Sequence, residues 1–141
     1  VIGRAVTDGK SPRAIADEIK ERLGVSLSKA KSYAQTDITD TLRQARWAES
    51  EQAQQDFGIR IGLLWTSALL PTTRPWHASR HGRIYTTAEV KAFYSQRWNV
   101  FRCHCSTTEA LLDADGHPIL TPKLRARMQG EKTKWDAENP A

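Results

Sequence analysis

Apolar residues recur along this chain at two different periods, and the change near residue 58 separates a helical part from a mixed one. In the N-terminal part Ile15, Ile19 and Leu23 return every fourth residue, the spacing of one helix face. Ser11 can cap that helix, Pro12 suits its first turn, and Gly24 offers a left-handed stop. Ser26 or Ser28 then opens a longer helical segment reaching about Asp56. Its apolar stripe is Ala30, Tyr33, Ala34, Ile38, Thr41, Leu42, Ala45, Trp47 and Ala48, and Gly58 ends it. At about 1.5 Å per residue this is a rod of roughly 40 Å. Such a rod packs over much of its length or is solvated toward its Gln/Glu-rich residues 49–55.

Past Gly58 the pattern shortens. Residues 59–66 are β-rich and bounded by turn formers, which predicts a first strand. Residues 71–82 read as a loop dense in Arg, His and Trp, after which Thr87 caps a short helix over 88–97 that turns Val90, Phe93 and Tyr94 inward. Residues 102–112 alternate as a second strand, and Asp113-Ala114-Asp115-Gly116 is a turn leading through Pro118 into a small hairpin. From Pro122 to about Trp135 a Lys/Arg/Glu-rich helix is expected as a loosely docked tail. The sum is an α+β fold: N-terminal helices including one long helix, then a small antiparallel sheet with a short helix, then a C-terminal helical tail. Residues 1–10 are assigned to an N-terminal tail, 11–120 to the domain and 121–141 to the charged tail.

Composition narrows this picture. A chain of 141 residues with 39% hydrophobic content supports one domain with its own core. The longest apolar run, 59–70, is interrupted by Arg60 and Gly62 and falls short of the roughly 20 residues that span a bilayer, so no membrane association is expected. The chain starts at Val1 in polar sequence without a signal peptide, which suggests a fragment of a longer protein. A net charge of +5 and a pI near 9.5 favour acidic partners such as nucleic acid. Lys123, Arg125 and Arg127 are the candidate phosphate contacts, although interspersed Glu131 and Asp136 equally suit a solvated helix face.

Chemistry concentrates in residues 74–82 and 101–106, which hold both cysteines and three of the four histidines. Thiolate and imidazole are preferred ligands of tetrahedral zinc, so His77, His81, Cys103 and Cys105 would form a Cys2His2 set. Against this, a Cys-x-Cys pair on a regular strand splays its side chains, and zinc-finger spacing is absent. The same geometry disfavours a disulfide between the two. The alternative is that Cys103 and Cys105 are small buried residues and His77 staples the loop by hydrogen bonds, with Arg74, Trp76 and Gly82 as structural loop positions. A nuclease-like reading would use the histidines with Arg74 and Arg80 as proton carriers and phosphate clamps, but its carboxylate partner is missing, because Asp113 and Asp115 sit in a turn. The residues therefore favour a protein without catalysis.

The order of segments resembles the phage Mu F-like head morphogenesis family of minor capsid proteins over about residues 11–112. The resemblance rests on Tyr33-Ala34-Gln35-Thr36-Asp37 in the long helix and on Trp65-Thr66, then on Arg74-Pro75-Trp76-His77-Ala78-Ser79-Arg80-His81-Gly82 and Trp98-Asn99-Val100-Phe101-Arg102-Cys103-His104-Cys105. Three departures from the family pattern are visible: no aspartate in 67–73, Gln35 where Arg is common, and Tyr94-Ser95-Gln96-Arg97 in place of a Pro-rich run. The resemblance implies a structural component of a tailed-phage or prophage head, with the portal protein and other head proteins as partners and a link to DNA packaging or delivery. Its location would be the virion head, and the host bacterial cytoplasm during assembly. The alternatives are a metal-dependent nuclease or toxin-associated domain, and a DNA-binding module.

Overall fold

Local sequence signals set the helix ends in the computed structural model, which describes residues 2–140. Ser11 Oγ accepts the Ala14 N–H at 3.2 Å, Pro12 occupies the first turn, and Gly24 at φ 61° closes the helix with its N–H on the Lys20 carbonyl. In chain order the described residues form α1 (Ile2–Thr7), α2 (Pro12–Leu23), α3 (Leu27–Phe57), β1 (Ile61–Thr66), α4 (Pro75–Ala78) and β2 (Ile84–Tyr85). There follow α5 (Thr87–Ser95), α6 (Arg97–Val100), β3 (Ser106–Leu111) and α7 (Pro122–Glu138). The fold is α+β with a three-stranded antiparallel sheet in the order β2-β1-β3. No helix is long and apolar enough to cross a membrane among the described residues.

The chain divides into two units, the first built from residues up to Ala48 with Tyr94–Cys103 and the second from Glu49–Phe93 with the chain from His104 on. In the first, α1, α2 and the start of α3 meet through small residues. Ala5, Ile15, Ala16, Ile19, Ala30 and Ala34 form the buried cluster, flanked by Val6, Val25, Tyr33 and Ile38. The segment expected as an N-terminal tail thus includes a helix, α1, because Ala5 and Val6 have a core to bury against.

The second unit is organised by β1, which is buried on both faces. Alternation sends Leu63 and Trp65 to one face and Leu64 to the other, where Leu64, Ala110 and Met128 form a cluster with Ile84, Leu120 and Leu124. Gly62 belongs to this packing: a Cβ there would lie 2.5 Å from Ile84 Cγ2 and 3.1 Å from Leu112 Cδ2, so a side chain would collide with two neighbours. β1 pairs along its whole length with β3, from Ile61 opposite Leu111 to Thr66 opposite Ser106. Beyond β3, Asp113 Oδ1 accepts the N–H groups of Asp115 and His117, Gly116 takes φ 85°, and Leu112 bridges Pro118, which gives the expected turn.

Four expectations need correction. The second strand begins at Ser106 rather than at 102, because Arg102 adopts φ 51° and turns the chain, so neither cysteine lies on a strand. The short helix is capped by Thr86, not Thr87. Glu89 N–H donates to Thr86 Oγ1 while the Glu89 carboxylate takes the Thr86 N–H at 2.7 Å, a reciprocal capping box. On α3, Leu42, Ala45 and Ala48 are exposed, and polar Thr36, Arg43 and Ser50 are buried instead. Finally, α7 is anchored rather than loosely docked: Met128 and Trp135 are buried, and Trp135 Nε1–H donates to the Leu70 carbonyl at 3.0 Å.

Candidate functional site

The loop after β1 returns to that strand through its own backbone. Pro75 starts the short helix α4, and at the far end Gly82 N–H donates to the Trp65 carbonyl while Trp65 N–H donates to the Arg83 carbonyl, each at 2.9 Å. Gly82 sits at φ 76°, where a side chain is strained, and a Cβ there would lie 3.3 Å from Met128 Cβ on α7. The Gly at this position is therefore required both by the turn and by the close approach of the helix.

Within that frame His77 is 1% exposed and stands edge-on to Phe93, with ring centroids 5.0 Å apart, beside Trp65. Arg80 lies over Phe93, Tyr85 and Trp65, with its guanidinium carbon 4.1 Å from the Phe93 centroid, so its charge is held by aromatic faces. Arg74 Nη1 is 3.5 Å from His77 Nε2. A guanidinium only donates, so Nε2 accepts and the ring proton belongs on Nδ1, which faces Cys105 Sγ at 3.6 Å. The Cys105 thiol in turn donates to Ser67 Oγ at 3.6 Å, and Leu69 N–H donates to the same oxygen. A directional relay, Arg74 to His77 to Cys105 to Ser67, ties the loop to the end of β1 and to β3.

His81 is used in the opposite sense. Ser67 N–H donates to its Nδ1 at 3.1 Å, which places the ring proton on Nε2, 3.1 Å from Glu131 Oε2 on α7. Both ring nitrogens are thus engaged away from His77 and Cys105. Cys103 belongs to the first unit, with Sγ 3.4 Å from the Tyr94 hydroxyl and its carbonyl accepting from Arg43 Nη2 at 3.1 Å. Of the four residues proposed as zinc ligands, the second unit brings His77 Nδ1 and Cys105 Sγ together. Both cysteines are free thiols, 3% and 4% exposed, and a thiol so enclosed presents no nucleophile to solvent. Trp76, in contrast, is half exposed on α4.

In the first unit, one face of α3 fastens the segment from Tyr94 to Cys103 with polar side chains. Thr36 Oγ1 accepts the N–H of the turned residue Arg102, and Arg97 pairs with Asp40 at 3.1 Å and Asp37 at 3.8 Å. Arg43 lies over the Tyr94 ring at 4.5 Å, and Trp47 stacks at a tilt on the same ring. Burial pushes the Asp37 carboxyl above its ordinary value; Arg97 opposes this and Asp40 reinforces it. The sequence flagged Thr36 and Asp37 only through the motif resemblance. Asp40 and Arg43 carried no sequence signal beyond helical spacing from Thr36, and Arg97 stood out only within the run 94–97 that departs from the family pattern.

The three candidate phosphate contacts do not form one patch. The buried ridge of α7, Met128 and Trp135, separates Arg125 on one flank from Arg127 on the other. Arg125 donates to the Pro118 carbonyl, Arg127 pairs with Glu131, and Lys123 is exposed. Asp113, Asp115 and His117 also cluster, but Asp113 is committed to the turn, and the N–H of His117, then that of Asp115, hold its carboxyl below the ordinary range.

Residues 1–108 match the family described as Phage Mu protein F like protein. The chain belongs to this family. No curated protein and no solved structure shows a significant match. Phage Mu F-like proteins are structural, head-related proteins of phages. The matched residues span every position of the relay and of the α3 fastening, whereas α7 lies beyond them.

Proposed function

We propose that this Phage Mu F-like chain is a non-catalytic minor head protein of a tailed phage or prophage that acts in head morphogenesis at or near the portal. Its partners are the portal protein and other head proteins, with DNA encountered during packaging or delivery, and its place is the virion head and, during assembly, the host bacterial cytoplasm. The observation that carries this reading is the fate of the motif side chains within a structural family. His77, Cys105 and His81 are buried and spent on holding the loop, and Thr36 on holding the segment before the cysteines. Residues that fix a shape suit a scaffold or docking component.

The test is co-expression with a tailed-phage portal protein, followed by affinity purification and mass measurement of the complex. A stable complex of defined stoichiometry supports the proposal. Failure to associate with any head protein, together with cleavage of DNA or RNA that His77→Ala abolishes, would replace it with the nuclease alternative, and salt-dependent DNA affinity without cleavage would favour the binding module. A second reading, zinc at the His77–Cys105 pair, is favoured by their 3.6 Å separation, which suits two ligands of one tetrahedral ion. Elemental analysis finding about one zinc per chain would establish that reading.

A further inference from the structure

The two flanks of α7 each border a cleft of similar size, and their charges differ. One, about 430 Å³, is rimmed by Arg127 and Lys134 against Glu131 and Glu138, which pair off as Arg127–Glu131 and Lys134–Glu138. The other, about 440 Å³, is rimmed by Arg83, Arg125 and Lys132 against Asp136 alone. Lys132 pairs with Asp136. Among the described residues no carboxylate lies within ion-pair distance of Arg83 or Arg125, and Arg125 spends one nitrogen on the Pro118 carbonyl. The floor of this second cleft is apolar, made by Ile84, Leu120 and Met128. Gly82 keeps the floor close, since its missing side chain lets the loop approach Met128.

An apolar floor under two uncompensated guanidinium groups selects a ligand with an apolar body and flanking carboxylates, because the first is desolvated by the floor and the second are paired at the rim. A bare phosphodiester strand would use the rim and leave the floor unfilled. We propose that the cleft between the Gly82 turn and α7 is a docking site for an acidic peptide segment of a partner protein, anchored by one apolar side chain on Met128 and held by Arg83 and Arg125. This goes beyond the head-assembly reading and stands without it, since the opposite flank of the same helix is an internal control with a balanced rim.

The probe is a short blocked peptide with one leucine flanked by glutamates, titrated into the full chain and followed by backbone amide and methionine methyl NMR. Saturable shifts at Gly82, Gln129 and Met128 are expected. Arg83→Glu should weaken binding about tenfold, and Arg127→Glu, on the other flank, should change it less than about twofold. Arg83 is exposed and offers only its carbonyl to β1, so its substitution leaves the fold intact, as an unchanged spectrum elsewhere will show. The proposal is overturned if the glutamine version of the peptide binds equally well, if the two charge reversals weaken binding alike, or if a short DNA oligonucleotide shifts the same resonances at lower concentration.

Discussion

The two units of this chain solve the same problem, holding irregular segments against regular ones, with different chemistry. In the second, a strand of large apolar residues is buried on both faces and the loop is closed over aromatic rings, with Trp65 contacting Phe93, Tyr85 and His77. In the first, the buried cluster is two-thirds alanine, and polar side chains of α3 grip the backbone and charges of the segment from Tyr94 to Cys103. An aromatic core gains from area removed from water, and it fails when volume is removed. A polar clasp gains little from each bond but fails when one buried partner is orphaned. The two units should therefore respond to different substitutions.

The largest effect is expected in the aromatic core. Trp65→Ala should cost about 3–5 kcal/mol by chemical denaturation, and a loss under about 1.5 kcal/mol would mean that the rings around Trp65 are not the core of the second unit. Next is the clasp: Thr36→Val keeps the shape but leaves the Arg102 N–H without its acceptor, at a cost of about 1–3 kcal/mol. If Thr36→Val proves neutral, the contrast between the units collapses, because Thr36 would then be packing alone.

Smaller effects sharpen the contrast through pH. Burial raises the pKa of Asp37 in the folded chain, so the ionised carboxylate costs stability at neutral pH, and that cost is relieved as pH falls through the raised value. Asp37→Asn should leave the melting temperature at neutral pH unchanged or slightly raised, since Arg97 keeps Asp40. The advantage of the variant should vanish on acidification; a clear loss at neutral pH would show instead that the Asp37–Arg97 attraction outweighs burial. The smallest effect belongs to the second unit. The hydrogen bonds from Thr86 lower the Glu89 pKa, so the capping box contributes fully above the ordinary glutamate range and is lost as pH falls through the lowered value. Glu89→Gln should flatten that part of the pH–stability profile, and an unaltered profile would assign it to other carboxylates.

The same contrast explains what could be read in the sequence. Helix α2 was legible because its apolar residues follow one period and Ser11, Pro12 and Gly24 mark its ends, and strand β1 because a short β-rich apolar run lies between turn formers. The buried face of α3 was not: Thr36, Arg43 and Ser50 are polar, and hydrophobic patterning assigns such residues to solvent and places exposed Leu42 in the stripe instead. Spacing from Thr36 to Arg43 to Ser50 is the signal that was available, since seven residues are close to two helical turns. At the loop, the gathering of His and Cys was visible, but the distinct partners of His77 and His81 were not. They depend on Ser67, which offers its hydroxyl to one chain of hydrogen bonds and its N–H to another, and on Glu131, which lies 50 residues from His81. The positive φ of Arg102 was equally hidden, and with it the late start of the expected strand.

The histidines of the loop staple the fold, each through a different ring nitrogen. Long-range proton–nitrogen NMR on the chain with isotope-labelled histidine reads the two rings directly. Opposite tautomers are expected, with the ring proton of His77 on Nδ1, directed at Cys105, and that of His81 on Nε2, directed at Glu131. A His77 ring carrying its proton on Nε2, or showing the nitrogen shift of a metal-bound imidazole, would contradict it.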